Sequence, residues 1–138
     1  MDVNAILTTE VGKVNFLKGL IRLAKCDGEL PEEELMFYQK AADAMGLGEE
    51  AKKMIDSMKD SREKIDVNFK TNKEKMFFLI QAVQLCWIDN KYVDSERQEM
   101  RMITNELGVS LGALDKVEKW VSEGIEWNKR GDKLLELK

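Results

Sequence analysis

Four carboxylates, Asp27, Glu34, Asp89 and Glu96, form two Asp–turn–Glu units. Each unit spans seven residues from acid to acid, and the second lies 62 residues after the first. The chain has no histidine and only two cysteines. If the two units meet, the site they make is built from oxygen alone, which suits calcium, magnesium or manganese better than zinc. The spacing is not that of an EF-hand: Asp27-Gly28-Glu29-Leu30-Pro31 lacks alternating oxygen ligands and a glycine at the sixth loop position. Asp27 and Asp89 also sit near helix C-termini, where the dipole disfavours an anion. A structural role answers the same facts. Each aspartate can cap N–H groups in the first turn of the next helix, leaving Glu34 and Glu96 as ordinary first-turn or surface acids. The stretch Cys26 to Met36 holds five acids and no base. It reads either as a solvated face or as a recognition patch for a basic partner.

The remaining composition removes other chemistries. Without histidine there is no Ser-His-Asp or Cys-His catalysis and no imidazole switch. Two distant cysteines make neither a disulfide scaffold nor a four-thiolate zinc site. Cys26 and Cys86 read as buried, reduced core thiols, with a redox pair as the alternative. The chain carries 22 basic and 26 acidic residues, a net charge of −4, and so lacks the basic footprint of a nucleic-acid binder. No apolar run is long enough to span a bilayer, and no basic n-region opens the chain as a signal peptide would. The expectation is a cytoplasmic protein. No phosphate loop, nucleophile elbow or other catalytic motif occurs, so a non-enzymatic role is expected.

The elements that must position the acids are helices. Charged residues make up 35% of the 138, and a single proline leaves few forced breaks, so the fold class is all-α. Val3, Ile6 and Leu7 suggest a short first turn. Val11, Val14, Leu17, Leu20, Ile21 and Ala24 mark a helix over about 9–25, in which Gly12 and Gly19 either allow close helix approach or are simply tolerated. Asp27-Gly28 stops it. Pro31 and three glutamates open the next helix, which carries Leu35, Tyr38, Ala41, Ala42 and Met45 and ends at Gly46-Leu47-Gly48. Ala51, Met54, Ile55 and Met58 mark a third helix. Residues 59–70 read as a polar connection. Thr71 and Glu74 form a capping box for a helix over about 72–88. Asp89-Asn90 stops it, and a helix over about 94–107 follows, closed by Gly108. Ser110 caps the last helix, with Leu114, Val117, Val121 and Ile125 inward and a break expected at Arg130-Gly131-Asp132. Trp120 and Trp127, seven apart, are expected to pack in the core, or Trp127 with Leu134, Leu135 and Leu137 to dock a partner. The methionines read mainly as core filling, with a Met-lined groove as the alternative.

A shift of 62 residues aligns the halves without a gap. Lys13, Phe16, Leu17, Leu23, Asp27, Glu34 and Gly46 fall on Lys75, Phe78, Leu79, Leu85, Asp89, Glu96 and Gly108. The coincidences include a helix stop, a helix-entry acid and a closing glycine in each half. The expectation is one domain over 1–138, a compact bundle of six to seven helices. It is built from two pseudo-twofold-related repeats covering about 9–58 and 71–128.

The motifs Leu23-Ala24-Lys25-Cys26-Asp27-Gly28, Glu34 and Met45-Gly46-Leu47 resemble those of the TerB-like (tellurite-resistance) family. The second set, Cys86-Trp87-Ile88-Asp89-Asn90, Glu96 and Leu107-Gly108-Val109, is similar to that family's second copy. One departure is Asn90, which stands where the family has glycine; asparagine is the next-best residue for a left-handed backbone. The resemblance implies a non-enzymatic cytoplasmic module linked to tellurite or stress resistance, holding a divalent cation or a protein partner at Asp27, Glu34, Asp89 and Glu96. Such a partner could sit at a membrane, and the module would be a monomer or weak homodimer. The alternative is a plain helical interaction scaffold whose acids are structural.

Overall fold

Most of the long helices begin where a side chain or a fixed backbone angle supplies the first turn. In the structure, a computed structural model, the chain is described apart from Asp27, Glu29, Asp60 and Lys91 and the side chains of Asp89 and Asn90. Seven helices are present among the described residues, and no strand: α1 (Val3–Ile6), α2 (Glu10–Ala24), α3 (Glu32–Ala44), α4 (Glu49–Lys59), α5 (Asn72–Asn90), α6 (Asp94–Glu106) and α7 (Leu111–Leu134). The Thr9 hydroxyl accepts from the Gly12 N–H at 3.0 Å and opens α2. Thr71 does the same for Glu74 at 3.1 Å, and the Glu74 carboxylate accepts from the Thr71 N–H at 3.2 Å. This is the expected capping box, and it fixes the start of α5. Pro31 is the N-cap of α3 and lies just outside its first turn, with φ −62° and ψ 151°. Val93, at φ −70° and ψ 166°, holds the matching place before α6.

The element boundaries keep the offset. Helix starts at 10, 32 and 49 recur at 72, 94 and 111, each 62 residues on. Helices α3 and α6 also end 62 residues apart and close in the same way. Gly46 and Gly108 take φ of 78° and 74°, a left-handed conformation that favours glycine. The next N–H then returns to the helix, Leu47 to the Ala42 carbonyl at 2.9 Å and Val109 to the Thr104 carbonyl at 3.1 Å.

Packing centres on α2 and α5, which meet each other. Helix α2 also packs on α3, α4 and α6, and α5 on α1, α6 and α7. The two central helices come close at Gly12 and Gly19. A Cβ at position 12 would stand 2.8 Å from the Glu74 carboxylate, and one at position 19 would sink into the Phe78 ring. Close approach is therefore the reason for Gly19, whereas at Gly12 the nearest atom is the tip of the Glu74 side chain. Phe16 stacks on Phe77 and meets Phe78 edge-on, with centroids 5.6 and 6.1 Å apart.

The connection after α4 is non-helical, as its polarity suggests, but it is part of the core. Val67 and Phe69 are buried, and Phe69 lies 5.5 Å from Phe78 between ring centroids. Side chains of α2 hold this segment down. Asn15 accepts from the Asn68 N–H at 3.0 Å, Arg22 donates to the Ile65 carbonyl at 3.2 Å and Lys25 to the Ser61 carbonyl at 2.7 Å.

Several expectations fail. Helix α7 runs through Arg130-Gly131-Asp132 to Leu134, because one interior glycine costs only about 1 kcal/mol and does not end a helix by itself. Trp120 and Trp127 are exposed: α7 buries the face of Leu114, Val117 and Val121, and the tryptophans lie off that stripe. Val11 and Met54 are likewise exposed although they fit their apolar stripes. Finally, α5 continues through Asn90, and among the described residues of the second turn Tyr92 is left-handed, at φ 60°. Tyr92 is held there by burial, by its ring 6.3 Å from Trp87, and by its N–H donating to the Cys86 carbonyl at 3.3 Å.

Candidate functional site

Glu34 and Glu96 stand at the same place in their helices, three residues after Pro31 and Val93, and have different surroundings. Glu34 is exposed. Glu96 is buried, and its Oε1 accepts from the Val93 N–H at 3.1 Å. That bond is one arm of a capping box; Val93 has no side-chain oxygen to return the other.

Both glutamates nevertheless line one cavity of about 440 Å3 between α2, α3, α5 and α6. Its walls are mainly apolar, from Leu20, Leu23, Phe37, Tyr38, Leu85 and Ile88, and Glu33 joins Glu34 and Glu96 in the lining. The cavity exists because the backbones of α3 and α5 stay apart among the described residues, whereas α2 and α6 pack together. Asp27 and the side chain of Asp89 lie outside the described residues, so of the four expected ligands Glu34 and Glu96 are the two placed. Among the described residues, no group of three or more aspartate, glutamate or cysteine side chains is arranged to hold a metal ion. Cys86 is buried and lines this cavity. Cys26 is only half-buried, contrary to expectation, and lines a different one beside Arg22 and Lys25. Neither forms a disulfide.

That second cavity contains a feature not anticipated from the sequence. Arg22 is buried at 6% exposure. Its Nε donates to Glu99 at 2.6 Å, and its two terminal nitrogens donate to the two Glu106 oxygens at 3.0 and 2.7 Å. Lys64 adds a contact to Glu106 at 3.1 Å. The hydrogen bonds from Arg22 hold the Glu106 carboxyl at about 2 despite the opposing effect of burial, with Lys64 helping. The same bonds raise the Arg22 guanidinium above its ordinary value. Glu99 and Glu106 are seven apart on α6, which puts them on one helix face but names no partner for them. Next to α6, burial pushes the Tyr92 hydroxyl well above its usual range, and the Glu118 carboxylate adds to this. Arg97 lies over the Tyr92 ring, 5.8 Å from its centroid.

No helix among the described residues is long and apolar enough to cross a membrane. No protein-family model matches the chain, and neither a curated protein nor a solved structure matches it significantly.

Proposed function

We propose that the chain is a non-enzymatic binding module, TerB-like in having two pseudo-twofold-related helical repeats, and that it holds a hard divalent cation at the cavity between α3 and α6. The observation that carries this reading is that Glu34 and Glu96, matched across the 62-residue offset, line one cavity. Their carboxylates are the donor type that calcium, magnesium and manganese take. Asp27 and Asp89 complete the ligand set in this reading, with water filling the remaining positions. A link to tellurite or stress resistance is what the family resemblance adds, and a cytoplasmic setting belongs to the same reading.

A second reading rests on a different observation. The Glu96 carboxylate already caps α6, and most of the cavity wall is apolar. On that reading the acids are structural, and the molecule is an interaction scaffold.

Titration with calcium, magnesium and manganese separates the two. Trp87 is half-buried on α5 between Cys86 and Ile88, which line the cavity, so its fluorescence reports on the site. The cation reading expects a saturable change in fluorescence and a stabilisation of about 2.7 kcal/mol at a hundredfold excess over Kd. Both vanish in the Glu34→Gln/Glu96→Gln variant, where glutamine retains an acceptor for the Val93 N–H. If no divalent ion at millimolar concentration moves fluorescence or melting temperature, the cation reading is wrong and the scaffold reading stands.

A further inference from the structure

Helix α7 carries two interior glycines, Gly124 and Gly131. Each costs a helix about 1 kcal/mol relative to alanine, and the fold needs neither, since a Cβ at either position would meet nothing within 4 Å. They share a helix face with Trp120, Trp127 and Leu134. Along this face the order is Trp120, Gly124, Trp127, Gly131, Leu134, at alternating steps of four and three residues, which is the spacing of a coiled-coil seam. Trp120 is 53% exposed, Trp127 68% and Leu134 64%. From Glu126 to the end every residue is exposed, so this part of α7 extends beyond the bundle. Beside Gly124, a groove of about 370 Å3 opens between α5 and α7, lined in part by Gln84, Leu85, Ile88 and Ile125. Ile88 within it is 78% exposed.

We propose that α7 is a homodimerisation helix. Two copies of the chain pair antiparallel, each Trp127 seated on the other copy's Gly124 in the α5–α7 groove and each Trp120 over the other copy's Gly131. In an antiparallel seam the two kinds of seam position face each other. One two-fold centre, between Ile125 and Glu126, therefore produces both pairings at once. A parallel pair would instead set tryptophan against tryptophan and leave glycine against glycine as a void. The charges agree with the antiparallel register: it brings Glu123 beside the second copy's Arg130, twice by symmetry, as a self-complementary interface requires. A partner of different sequence would account for an exposed apolar stripe. It would not account for Trp120, Gly124, Trp127 and Gly131 exchanging large for small when their order is reversed.

Sedimentation equilibrium from micromolar to near-millimolar chain tests the proposal. Wild type is expected to show a monomer–dimer equilibrium. Trp127→Ala and Gly124→Gln each raise its dissociation constant at least about tenfold. Glutamine is the better helix former, so the second variant loses the dimer while its melting temperature at high dilution is equal or higher, which separates lost contact from lost fold. Glu123→Arg and Arg130→Glu each weaken the dimer, and the two together restore it. A wild type that stays monomeric at the highest concentration overturns the proposal. So does a dimer indifferent to both Trp127→Ala and Gly124→Gln.

Discussion

The contact between α2 and α6 and the gap between α5 and α3 occupy matching places in the two halves, and only the first is closed. On the closed side a buried arginine, Arg22, reaches across to two carboxylates of α6, Glu99 and Glu106. On the open side the residue 62 positions after Arg22 is Gln84, and the residue 62 positions before Glu99 is Phe37. Gln84 turns up in the α5–α7 groove, and Phe37 lines the cavity that holds Glu34 and Glu96. Both halves follow one helical plan, so the difference lies in the cross-helix chemistry. A fork of guanidinium hydrogen bonds draws two helices together and consumes their acids. Without it the helices stand apart, and Glu34 and Glu96 line the space between them. What a carboxylate of this chain does is thus set by what crosses to it as well as by its own helix position, which for Glu96 supplies the bond from Val93.

Opening the closed side should have the largest effect. Arg22→Ala leaves Glu99 and Glu106 facing each other across a lost buried cation, at a cost of about 3 kcal/mol. Chemical denaturation would show this as a lower midpoint with little change in slope. A variant as stable as wild type would mean that the α2–α6 contact rests on its apolar neighbours alone.

Acid sharpens the same comparison with a smaller effect. Glu106 sits at about 2 in the fold against an ordinary 4.5. A depressed carboxyl contributes stability that is fully present above its unfolded value and is lost as pH falls through the folded one. The loss therefore runs from about pH 4.5 down to about pH 2, and amounts to roughly 2 kcal/mol after allowance for solvent screening of a side chain 29% exposed. In Glu106→Gln this part of the acid slope disappears. A slope unchanged between wild type and Glu106→Gln would show that other carboxylates carry the acid response.

These differences explain how much of the molecule could be read in advance. The helix starts were legible because the chain writes them locally: Thr71 with Glu74, Ser110, and Pro31 before three glutamates. The ends of α3 and α6 were legible because Gly46 and Gly108 meet a backbone demand that few other residues meet. Asn90 was misread for the same reason in reverse. Asparagine tolerates a left-handed backbone without requiring it, so the helix runs on through Asn90, and Tyr92, whose buried ring holds it there, is left-handed among the described residues of the turn. Trp120 and Trp127 were misread because a seven-residue spacing says that two residues share a face and is silent on which face the core takes. Arg22 was not legible at all. Its worth depends on two acids 77 and 84 residues away, and spacing along a chain carries no such pairing. Of the candidate site, the 62-residue offset marks Glu34 and Glu96 as matched positions. Their unequal burial is not legible, since it depends on how closely each half's neighbours pack.

The smallest effect tests that inequality directly. If Glu96 serves the fold by capping α6, Glu96→Ala loses the acceptor for the Val93 N–H and costs about 1 kcal/mol, the usual value of a cap. Glu34 stands at the same helix position and is exposed, so Glu34→Ala should fall within about 0.5 kcal/mol of wild type. Glu96→Gln should recover most of the loss, because an amide oxygen accepts the same N–H. Thermal melts of the three variants in metal-free buffer at one pH measure these differences without involving any ligand. Equal costs at the two positions would mean that the halves use their glutamates alike, and that the capping bond adds nothing to what the helix dipole already gives both. A Glu96→Ala cost that glutamine fails to recover would point to the charge of Glu96, and would put that charge at the centre of the cavity's chemistry.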